Sequence, residues 1–585
     1  MFRKILIANR GEIACRIIRT ARQLGIATVA VYSDADADAQ HVRQADEAHP
    51  IGGARPQDSY LRGDRIIAVA LAAGAEAIHP GYGFLSENAD FADAVDAAGL
   101  SFIGPSAMTM RRMGSKAGAK DLMQAAGVPV VPGYTGEDQS PQLLEAEADR
   151  IGYPLMIKAA HGGGGKGMRI VRSRDEFLPN LLSCQREAAS AFGRDRVLLE
   201  RYIERPRHIE IQIFGDTHGN VIHLGERECS AQRRYQKVLE EAPSPFLTPQ
   251  LRADMGAAAV QAGRAIDYAN AGTVEFIVAP DGRFYFMEIN TRLQVEHPVT
   301  ELVTGQDLVA WQLHVAAGEP LPLAQADVRQ HGHAIEVRLY AEDPDAGFLP
   351  GSGKLERLRL PTPGRNVRID SGVIEGDTVT IFYDPMIAKL IVWDIDRERA
   401  LARLREALAE CEIEGPKSNI GFLERLVGHP VIIDGDIDTG YLDRHLDAFL
   451  KSTDVDPSRL LAAATTRLLW LEAAERDRAA VSADPTSPWA LGDGWRLEHP
   501  VHGAEAHERG KHGEQVDDRE VQQVPHQEDQ DRDAAGRGGG VEVHRLCQVL
   551  SRRLVRQAHR DRRRWSGVRC RRHAERKRDD PRGPL

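Results

Sequence analysis

Residues 284–301, FYFMEINTRLQVEHPVTE, carry side chains that could bind a metal ion and an anion. Because side chains alternate between the two faces of an extended strand, the polar residues of this segment fall on one face. That face carries Glu288, Asn290, Arg292, Gln294 and Glu296, and the other carries Ile289, Leu293 and Val295. Carboxylates, amides and a guanidinium on one face predict a site for a cation and an anionic substrate.

A second predicted strand, residues 272–279, precedes this segment, and Asp281-Gly282 favours a two-residue hairpin turn. The resulting register pairs Ala279 with Phe284, Ile277 with Phe286, and Glu275 with Glu288. Two facing carboxylates repel each other in a purely structural sheet. A divalent cation between them removes the repulsion, and Mg²⁺ held together with substrate phosphates suits such oxygen ligands. The alternative is an ordinary amphipathic hairpin, which does not account for an arginine and a third carboxylate on the same face.

A glycine-rich loop, HGGGGKGM, lies between two predicted strands, residues 153–159 and 168–173. A Walker A loop needs Gly-Lys-Ser/Thr at the start of a helix, whereas Lys166 precedes Gly167. The backbone N–H groups of such a loop can approach phosphates, and the loop can open and close as a lid. A flexible hairpin tip is the alternative, but the flanking lysines favour phosphate contact. We therefore predict that Gly164 and Gly165 bind the nucleotide.

Several longer motifs occur in an order that resembles biotin carboxylase, a family of ATP-grasp enzymes. The resemblance covers residues 1 to about 450. The motifs are MFRKILIANRGEIACRIIRTA, AIHPGYGFLSENADFA, FIGPSAMTMRRMGSKAGAK, LMIKAAHGGGGKGM, LLERYIERPRHIEIQIFGD, ERECSAQRRYQKVLEEAPSP, MEINTRLQVEHPVTE, HAIEVRLYAEDP and FYDPMIAKLIVW. The resemblance implies an α/β (α+β) fold with the biotin carboxylase architecture.

The predicted domains follow from this resemblance and from the pattern of strands and helices. Residues 1–113 alternate predicted strands and helices, which indicates a parallel sheet covered on both faces. The turn after the first strand, Asn9-Arg10-Gly11-Glu12, lacks the GxGxxG of a dinucleotide site. Residues 114–318 resemble an ATP-grasp domain with a lid at about 130–203, and residues 331–450 resemble the C-terminal mixed α/β domain. Residues 451–500 contain a helical pattern and resemble the start of a subunit-binding region.

The resemblance also implies an ATP site. Lys116 and Lys158 would neutralise phosphate charge, and Glu200 with the backbone of Tyr202 and Ile203 would hold the adenine end. His208 and Gln232 would approach the nucleotide. Tyr235 stands where the family usually has histidine, so a nucleotide contact at this position stays open. The metal ligands for Mg²⁺ or Mn²⁺ would be Glu275 and Glu288, with Asn290 assisting.

The same resemblance implies ATP-dependent carboxylation of biotin, with bicarbonate activated as carboxyphosphate. Lys237 and Arg292 would bind bicarbonate and the transferring phosphoryl group, with the Val295 backbone completing the cradle. Glu296 would be the general base, and Arg338 would stabilise the developing enolate-like oxygen of biotin. The reaction is the first half-reaction of an acyl-CoA carboxylase, and the extension past residue 450 most resembles the 3-methylcrotonyl-CoA type. The alternatives are another ATP-grasp ligase, such as a carboxylate–amine ligase, and a truncated non-catalytic subunit.

Composition agrees with a soluble enzyme of a reducing compartment. With 75 basic and 86 acidic residues, the chain has a formal net charge of −11, which does not favour nucleic-acid binding. The six cysteines include no CxxC pair, which disfavours a disulfide scaffold or a zinc site. No apolar run is long enough to span a bilayer, and a predicted strand begins at Lys4 without a targeting segment before it. We therefore predict a cytoplasmic protein without a membrane partner.

The last segment, residues 501–585, differs from the rest in composition. It is rich in Arg, His, Gln and Asp and lacks the periodic apolar residues needed for a core, so we predict disorder. The family would continue with a biotinyl domain carrying Met-Lys-Met, but the last methionine is Met386, so this chain has no such covalent biotin site. Biotin would then be a substrate on a separate carrier. A reading-frame shift in a GC-rich gene would produce such a composition, and we favour this origin over a basic arm for nucleic acid, which would need interleaved aromatic residues, and over a lineage-specific tail. The resemblance also implies a carboxyltransferase β-subunit as a partner, and assembly as a homodimer or a larger hetero-oligomer.

Overall fold

The N-terminal segment folds as a parallel sheet with helices on both faces, as predicted. The structure, a computed structural model, describes residues 1–160, 168–450 and 457–480. The strands of this sheet are β1 (Lys4–Ile7), β2 (Ala27–Ser33), β3 (Glu47–Gly52), β4 (Ala77–His79) and β5 (Ser101–Phe102), in the order β3-β2-β1-β4-β5. The helices are α1 (Gly11–Gln23), α2 (Gln40–Gln44), α3 (Gly63–Ala72), α4 (Ala89–Ala97) and α5 (Ala107–Met113). Ile5 and Ile7 pack into one core and Leu6 into another, because alternate residues of β1 point to opposite faces.

The next segment forms a small antiparallel sheet within the range that we predict to be a lid, and we call it the lid sheet. Its strands are β6 (Gly133–Tyr134), β7 (Leu155–Ala159), β8 (Met168–Val171) and β9 (Val197–Arg201), in the order β6-β9-β7-β8. The helices of this region are α6 (Lys116–Ala125), α7 (Pro141–Ile151) and α8 (Arg174–Phe192). The glycine-rich loop, with Gly164 and Gly165, lies outside the described residues, and so does the side chain of Lys116.

One large antiparallel sheet runs through the two remaining predicted domains. Its first part contains β10 (Arg207–Gly215), β11 (Val221–Arg233), β12 (Gln236–Ala242), β13 (Asn270–Val278) and β14 (Phe284–Asn290), with helices α9 (Pro249–Ala265), α10 (His297–Thr304) and α11 (Leu308–Ala316). Its second part contributes β15 (His333–Tyr340), β20 (Val367–Ser371) and β22 (Met386–Asp394). The strand order is β14-β13-β10-β11-β12-β15-β22-β20, so β12 pairs directly with β15 across the predicted domain boundary.

Short strands and helices surround this second part. They are β16 (Glu342–Asp343), β17 (Leu349–Pro350), β18 (Gly353–Lys354), β19 (Arg357–Arg359), β21 (Thr378–Val379), β23 (Glu412–Glu414), α12 (Arg397–Ala409), α13 (Ile420–Val427), α14 (Pro430–Ile433), α15 (Tyr441–Arg444) and α16 (Leu446–Leu450). Residues 1–454 form one compact unit. In the second unit the described residues form α17 (Pro457–Ala480), which confirms the helix predicted there, and the predicted tail lies outside the described residues. Among the described helices, none combines the length and apolar character needed to cross a membrane.

The hairpin of β13 and β14 places Glu275 opposite Glu288, as predicted, but by a different register at the turn. Phe284 pairs with Val278 rather than with Ala279, and the loop closes with a hydrogen bond from the Ala279 N–H to the Arg283 carbonyl at 2.7 Å. The predicted two-residue turn is therefore wrong. A β-bulge places one extra residue on β14 before Glu288, which restores the predicted carboxylate pair.

The prediction of an extended strand over residues 284–301 is also wrong. β14 ends at Asn290, a loop follows, and α10 begins at His297 with Glu296 as its N-cap residue. Side chains beyond Asn290 therefore do not follow the period of a strand. Pro298 at the start of α10 explains the change, because its fixed φ is suited to the first turn of a helix and its missing N–H is unsuited to a sheet ladder.

Candidate active site

The centre of the large sheet holds a lysine surrounded by buried carboxylates. Lys237 Nζ lies 2.5 Å from Glu296 Oε1, 2.6 Å from Glu210 Oε2 and 3.2 Å from Glu275 Oε1. Burial disfavours the charged lysine, but these three carboxylates outweigh it and raise the pKa of Lys237 well above its ordinary value. The ammonium therefore stays charged at neutral pH, where an anionic substrate could use it.

Glu296 joins this lysine to the predicted biotin-binding arginine. Its second oxygen, Oε2, accepts a hydrogen bond from Arg338 at 3.1 Å, and Arg338 also contacts Glu240 Oε1 at 2.5 Å. Burial favours the neutral acid, but Lys237, Arg338 and Arg227 hold the pKa of Glu296 well below its ordinary value. Glu296 is therefore a carboxylate at neutral pH, as a general base must be.

Arg227 is a central residue of this site that the sequence analysis missed. Its side chain is fully buried on β11, and its guanidinium makes hydrogen bonds to five side chains. They are Glu210 Oε1 at 2.5 Å, Gln294 Oε1 at 2.7 Å, Gln212 Oε1 at 2.8 Å, Thr300 Oγ1 at 2.9 Å and Thr273 Oγ1 at 3.1 Å. Arg227 is the cross-strand partner of Glu210. The two residues belong to different sequence motifs, so their pairing follows only from the register of β10 and β11.

We expect Arg227→Lys to lower the free energy of unfolding by about 3 kcal/mol, because one ammonium cannot replace a planar fork of donors and leaves buried acceptors unsatisfied. Urea denaturation of the variant and the parent measures the difference. Arg252→Lys is the matched control, because Arg252 is partly exposed and makes a short contact to one carboxylate, Glu226 Oε1 at 2.8 Å. An equal and small effect of both substitutions would contradict the central role of Arg227.

The predicted metal ligands lie at one end of the carboxylate cluster. Glu275 accepts hydrogen bonds from Asn290 Nδ2 at 2.7 Å and Gln294 Nε2 at 2.9 Å, and its other oxygen lies 3.1 Å from His208 Nε2. Glu288 is exposed on the neighbouring strand, directly opposite Glu275. Two carboxylates and an amide oxygen are a donor set that suits Mg²⁺, so the residues fit the predicted metal. His208, Glu210 and Glu275 also lie close enough to share an ion, but Lys237 already neutralises both of these carboxylates.

The remaining nucleotide residues of the large sheet lie near this cluster. His208 Nδ1 is 3.4 Å from Gln232 Oε1, which brings these two predicted residues together. Burial lowers the proton affinity of the imidazole, but Glu275 more than compensates and raises the pKa of His208. Tyr235 lies at the tip of the β11–β12 hairpin, where it and Arg234 adopt positive φ angles of 69° and 45°. The Tyr235 side chain is 67% exposed. Positive φ is uncommon for residues other than glycine and asparagine, so this tip has a strained backbone.

A second ionic network lies in the lid sheet. Glu200 Oε2 is 2.5 Å from Lys158 Nζ, and Glu200 Oε1 is 3.1 Å from Lys120 Nζ. Burial favours the neutral acid, but the two lysines lower the pKa of Glu200 to about 2. Lys120 was missed by the sequence analysis, although it follows Lys116 by one helical turn on α6. The Tyr202 N–H donates to the Pro154 carbonyl at 3.0 Å.

Arg292 and Val295 lie on the loop between β14 and α10. Arg292 Nε donates to Glu87 Oε2 at 3.0 Å, and its guanidinium lies 3.4 Å from Asn290 Oδ1. The Val295 carbonyl accepts a hydrogen bond from Lys389 Nζ at 2.7 Å. The structure thus places Arg292 beside the predicted metal ligands and Val295 beside the predicted base, Glu296.

Three family models match this chain and cover most of residues 1–444. "Biotin carboxylase, N-terminal domain" matches residues 1–110, and "Carbamoyl-phosphate synthase L chain, ATP binding domain" matches residues 115–324. "Biotin carboxylase C-terminal domain" matches residues 336–444. The first and third models favour a biotin carboxylase over the other ATP-grasp ligases.

The curated relatives are carboxylase subunits. Methylcrotonoyl-CoA carboxylase subunit alpha of Dictyostelium discoideum is 53% identical over 496 residues, which cover 85% of this chain and 70% of the relative. The same subunit of Oryza sativa subsp. japonica is 56% identical over 451 residues, which cover 77% of this chain and 61% of the relative. The biotin carboxylase of Halalkalibacterium halodurans is 53% identical over 450 residues, which cover 76% of this chain and 98% of the relative. The chain thus spans 61–70% of these two α-subunits and nearly all of a separate biotin carboxylase.

A solved structure has the same fold over the same region. The biotin carboxylase domain dimer of Hydrogenobacter thermophilus 2-oxoglutarate carboxylase, in complex with MgADP, ADP and bicarbonate, matches with a TM-score of 0.73 and 48% identity. The match covers 77% of this chain and 100% of that domain. The predicted fold class and the resemblance inferred from the motifs are confirmed. This chain therefore belongs to the biotin carboxylase family of ATP-dependent ligases.

Proposed function

We propose that the chain carboxylates biotin on a carrier protein, using ATP and bicarbonate, and that carboxyphosphate is the intermediate. The observation that carries this proposal is the bridge from Lys237 through Glu296 to Arg338, in which one buried carboxylate contacts two cations. In such a site Glu296 can act as a base, Lys237 can bind an anionic substrate on one side, and Arg338 can stabilise a developing oxyanion on the other.

ATP would bind between the lid network and the carboxylate cluster. Lys116, Lys158, Gly164 and Gly165 would contact phosphates. Glu200 and the backbone of Tyr202 and Ile203 would hold the adenine end, and His208 and Gln232 would approach the nucleotide. Glu275, Glu288 and Asn290 would hold Mg²⁺ or Mn²⁺, which neutralises phosphate charge and acts as a Lewis acid when bound. The contribution of the chain to phosphoryl transfer is then mainly positioning and charge neutralisation.

Bicarbonate would bind between Lys237 and Arg292, beside the Val295 backbone. Its negative charge would then lie close to Glu296 and raise the proton affinity of this carboxylate, which Lys237 and Arg338 otherwise keep low. Glu296 would accept the bicarbonate proton as a bicarbonate oxygen attacks the γ-phosphoryl group of ATP, and ADP would leave, which gives carboxyphosphate. Carboxyphosphate would break into CO₂ and phosphate next to biotin. Phosphate would take the ureido proton, Arg338 would stabilise the resulting charge on the ureido oxygen, and the ureido nitrogen would then attack CO₂ to form carboxybiotin.

The larger context of this reaction is a separate part of the proposal. The similarity to methylcrotonoyl-CoA carboxylase α-subunits supports a role in the first half-reaction of an acyl-CoA carboxylase, with 3-methylcrotonyl-CoA as the acyl substrate. A biotin carrier and a carboxyltransferase β-subunit would be the partners. The dimeric state named for the H. thermophilus domain supports a homodimer or a larger hetero-oligomer. A cytoplasmic location stays a prediction.

The purified chain should release ADP from MgATP in the presence of bicarbonate, and free biotin should increase the rate. The reason is the assembled set Lys237, Glu296 and Arg338. A coupled assay of ADP release, with and without bicarbonate and biotin, measures this activity. ADP release that does not respond to biotin would favour the alternative of another ATP-grasp ligase, and absence of ADP release would favour a non-catalytic subunit.

Residues 501–585 should be dispensable for this activity. They lack the periodic apolar residues of a core, and the chain lacks Met-Lys-Met. We expect limited proteolysis to remove this segment first, and a chain shortened to residues 1–450 to keep free-biotin activity. We also expect a streptavidin blot of protein coexpressed with a biotin ligase to be blank. A biotinylated band, or a protease-resistant fragment containing Arg563, would contradict this prediction.

A further inference from the structure

A buried lysine on β22 contacts the loop that carries the proposed base. Lys389 is fully buried. Its Nζ lies 2.7 Å from the Val295 carbonyl oxygen, 3.3 Å from Glu12 Oε1 and 3.9 Å from Asp370 Oδ2. The shortest of these contacts is to a backbone carbonyl rather than to a carboxylate.

Lys389 and Arg338 form a pair on adjacent strands. They are cross-strand partners of β22 and β15, so their side chains lie on the same face of the sheet. Arg338 holds the Glu296 carboxylate, and Lys389 holds the carbonyl of the preceding residue, Val295. Two neighbouring cations therefore hold two consecutive residues of the loop between β14 and α10. Over residues 291–295 this loop forms no sheet ladder, and the Gln294 carbonyl accepts a turn hydrogen bond from the His297 N–H at 3.3 Å, so contacts from Arg338 and Lys389 add to the local bonds that position it.

A purely structural ion pair does not account for this arrangement. Burying an ammonium group is costly, and an apolar side chain would fill the same space without that cost. Asp370 has its own closer partner, Arg368 at 2.6 Å, which leaves Glu12 as the nearer counter-ion of Lys389. Burial raises the pKa of Glu12 to about 7, so Glu12 balances the ammonium only in part, together with the more distant Asp370. The ammonium donates to the carbonyl of Val295, next to Glu296.

We propose that Lys389 is a positioning residue for the reaction. By fixing the Val295 carbonyl it sets the position of the Glu296 carboxylate between Lys237 and Arg338. This inference rests on the proposed function, because it assigns Lys389 a role in placing the base of that reaction. Misplacement of a reacting group by about 1 Å can lower a rate by about 100-fold, so a second contact beside the base has a measurable effect.

The test compares three variants with the parent chain. They are the single variant Glu12→Gln, the double variant that combines Lys389→Met with Glu12→Gln, and the single variant Lys389→Arg. The double variant removes the ammonium and its counter-charge together, so no unpaired carboxylate is left at Glu12. We expect its kcat for bicarbonate-dependent ADP release to fall about 10- to 100-fold, with the KM for ATP within about twofold of the parent. Glu12→Gln alone keeps the Lys389 bond to Val295 and should keep the parental kcat. Deuterium exchange at residues 291–297 should rise in the double variant.

Lys389→Arg retains the charge and tests the position of the donor if the double variant does not fold. A guanidinium is longer and planar, so it cannot keep the same single bond without displacing Val295, and we expect a kcat about 3- to 10-fold below the parent. The proposal would be overturned if both variants of Lys389 kept the parental kcat. If the double variant does not fold, a parental kcat of Lys389→Arg alone would overturn it. So would an equal loss of kcat in Glu12→Gln and the double variant. A parent chain without biotin-stimulated ADP release would instead contradict the proposed function itself.

Discussion

Glu296→Gln should lower kcat for biotin-dependent ADP release by about 10²- to 10⁴-fold, the range expected for loss of a general base. The amide has nearly the same shape as the carboxylate but cannot accept the proton of bicarbonate. Because Glu296 also balances Lys237 and Arg338, the variant tests chemistry and electrostatics together. Steady-state kinetics with varied bicarbonate measures the loss, and the KM for ATP should change little because the lid network around Glu200 is untouched.

Glu241→Gln is the matched control for this prediction. Glu241 is also a buried carboxylate, and it contacts His333 Nε2 at 2.6 Å and Arg397 Nε at 2.6 Å rather than Lys237 and Arg338. We expect this control to lower the melting temperature and to keep the parental kcat. If Glu296→Gln retains more than about a tenth of the parental kcat, Glu296 is not the base.

Glu288→Gln should lower turnover by about 10²- to 10³-fold, or about 3–4 kcal/mol of transition-state stabilisation. The reason is the loss of one of two carboxylates that face each other across β13 and β14 and that we assign to Mg²⁺. Because Glu288 is exposed, the melting temperature should stay close to that of the parent. The Mg²⁺ concentration for half-maximal activity should rise, which separates a metal ligand from a residue that contacts ATP directly.

Asp281→Asn is the control on the same hairpin. Asp281 is an exposed carboxylate in the turn between β13 and β14, and it contacts Arg283 at 2.7 Å. Its removal changes the net charge by the same amount as Glu288→Gln, so kcat and the Mg²⁺ requirement should match the parent. Near-parental turnover of Glu288→Gln would remove Glu288 from the metal site.

The sequence by itself determined the family, the parallel N-terminal sheet and the facing pair Glu275 and Glu288. Long motifs in a fixed order indicate the family, and the local alternation of strands and helices indicates the parallel sheet. The facing carboxylates were predicted even though the assumed turn was wrong. The bulge before Glu288 compensates for the longer loop and so restores the pairing with Glu275. No residue pattern of the hairpin predicts that bulge.

Only the tertiary structure decided which charges meet at the site. The sequence analysis treated Glu296 as part of a strand, whereas it reaches Lys237 and Arg338 from the start of α10. Arg227 was missed because its partners come from four separate segments of the chain, and Lys389 because its contact is a backbone carbonyl 94 residues away. Such contacts depend on strand order and register, which join β12 to β15 and β15 to β22. Local sequence specifies which face of a strand is polar, but the pairing of distant strands specifies which polar groups become neighbours.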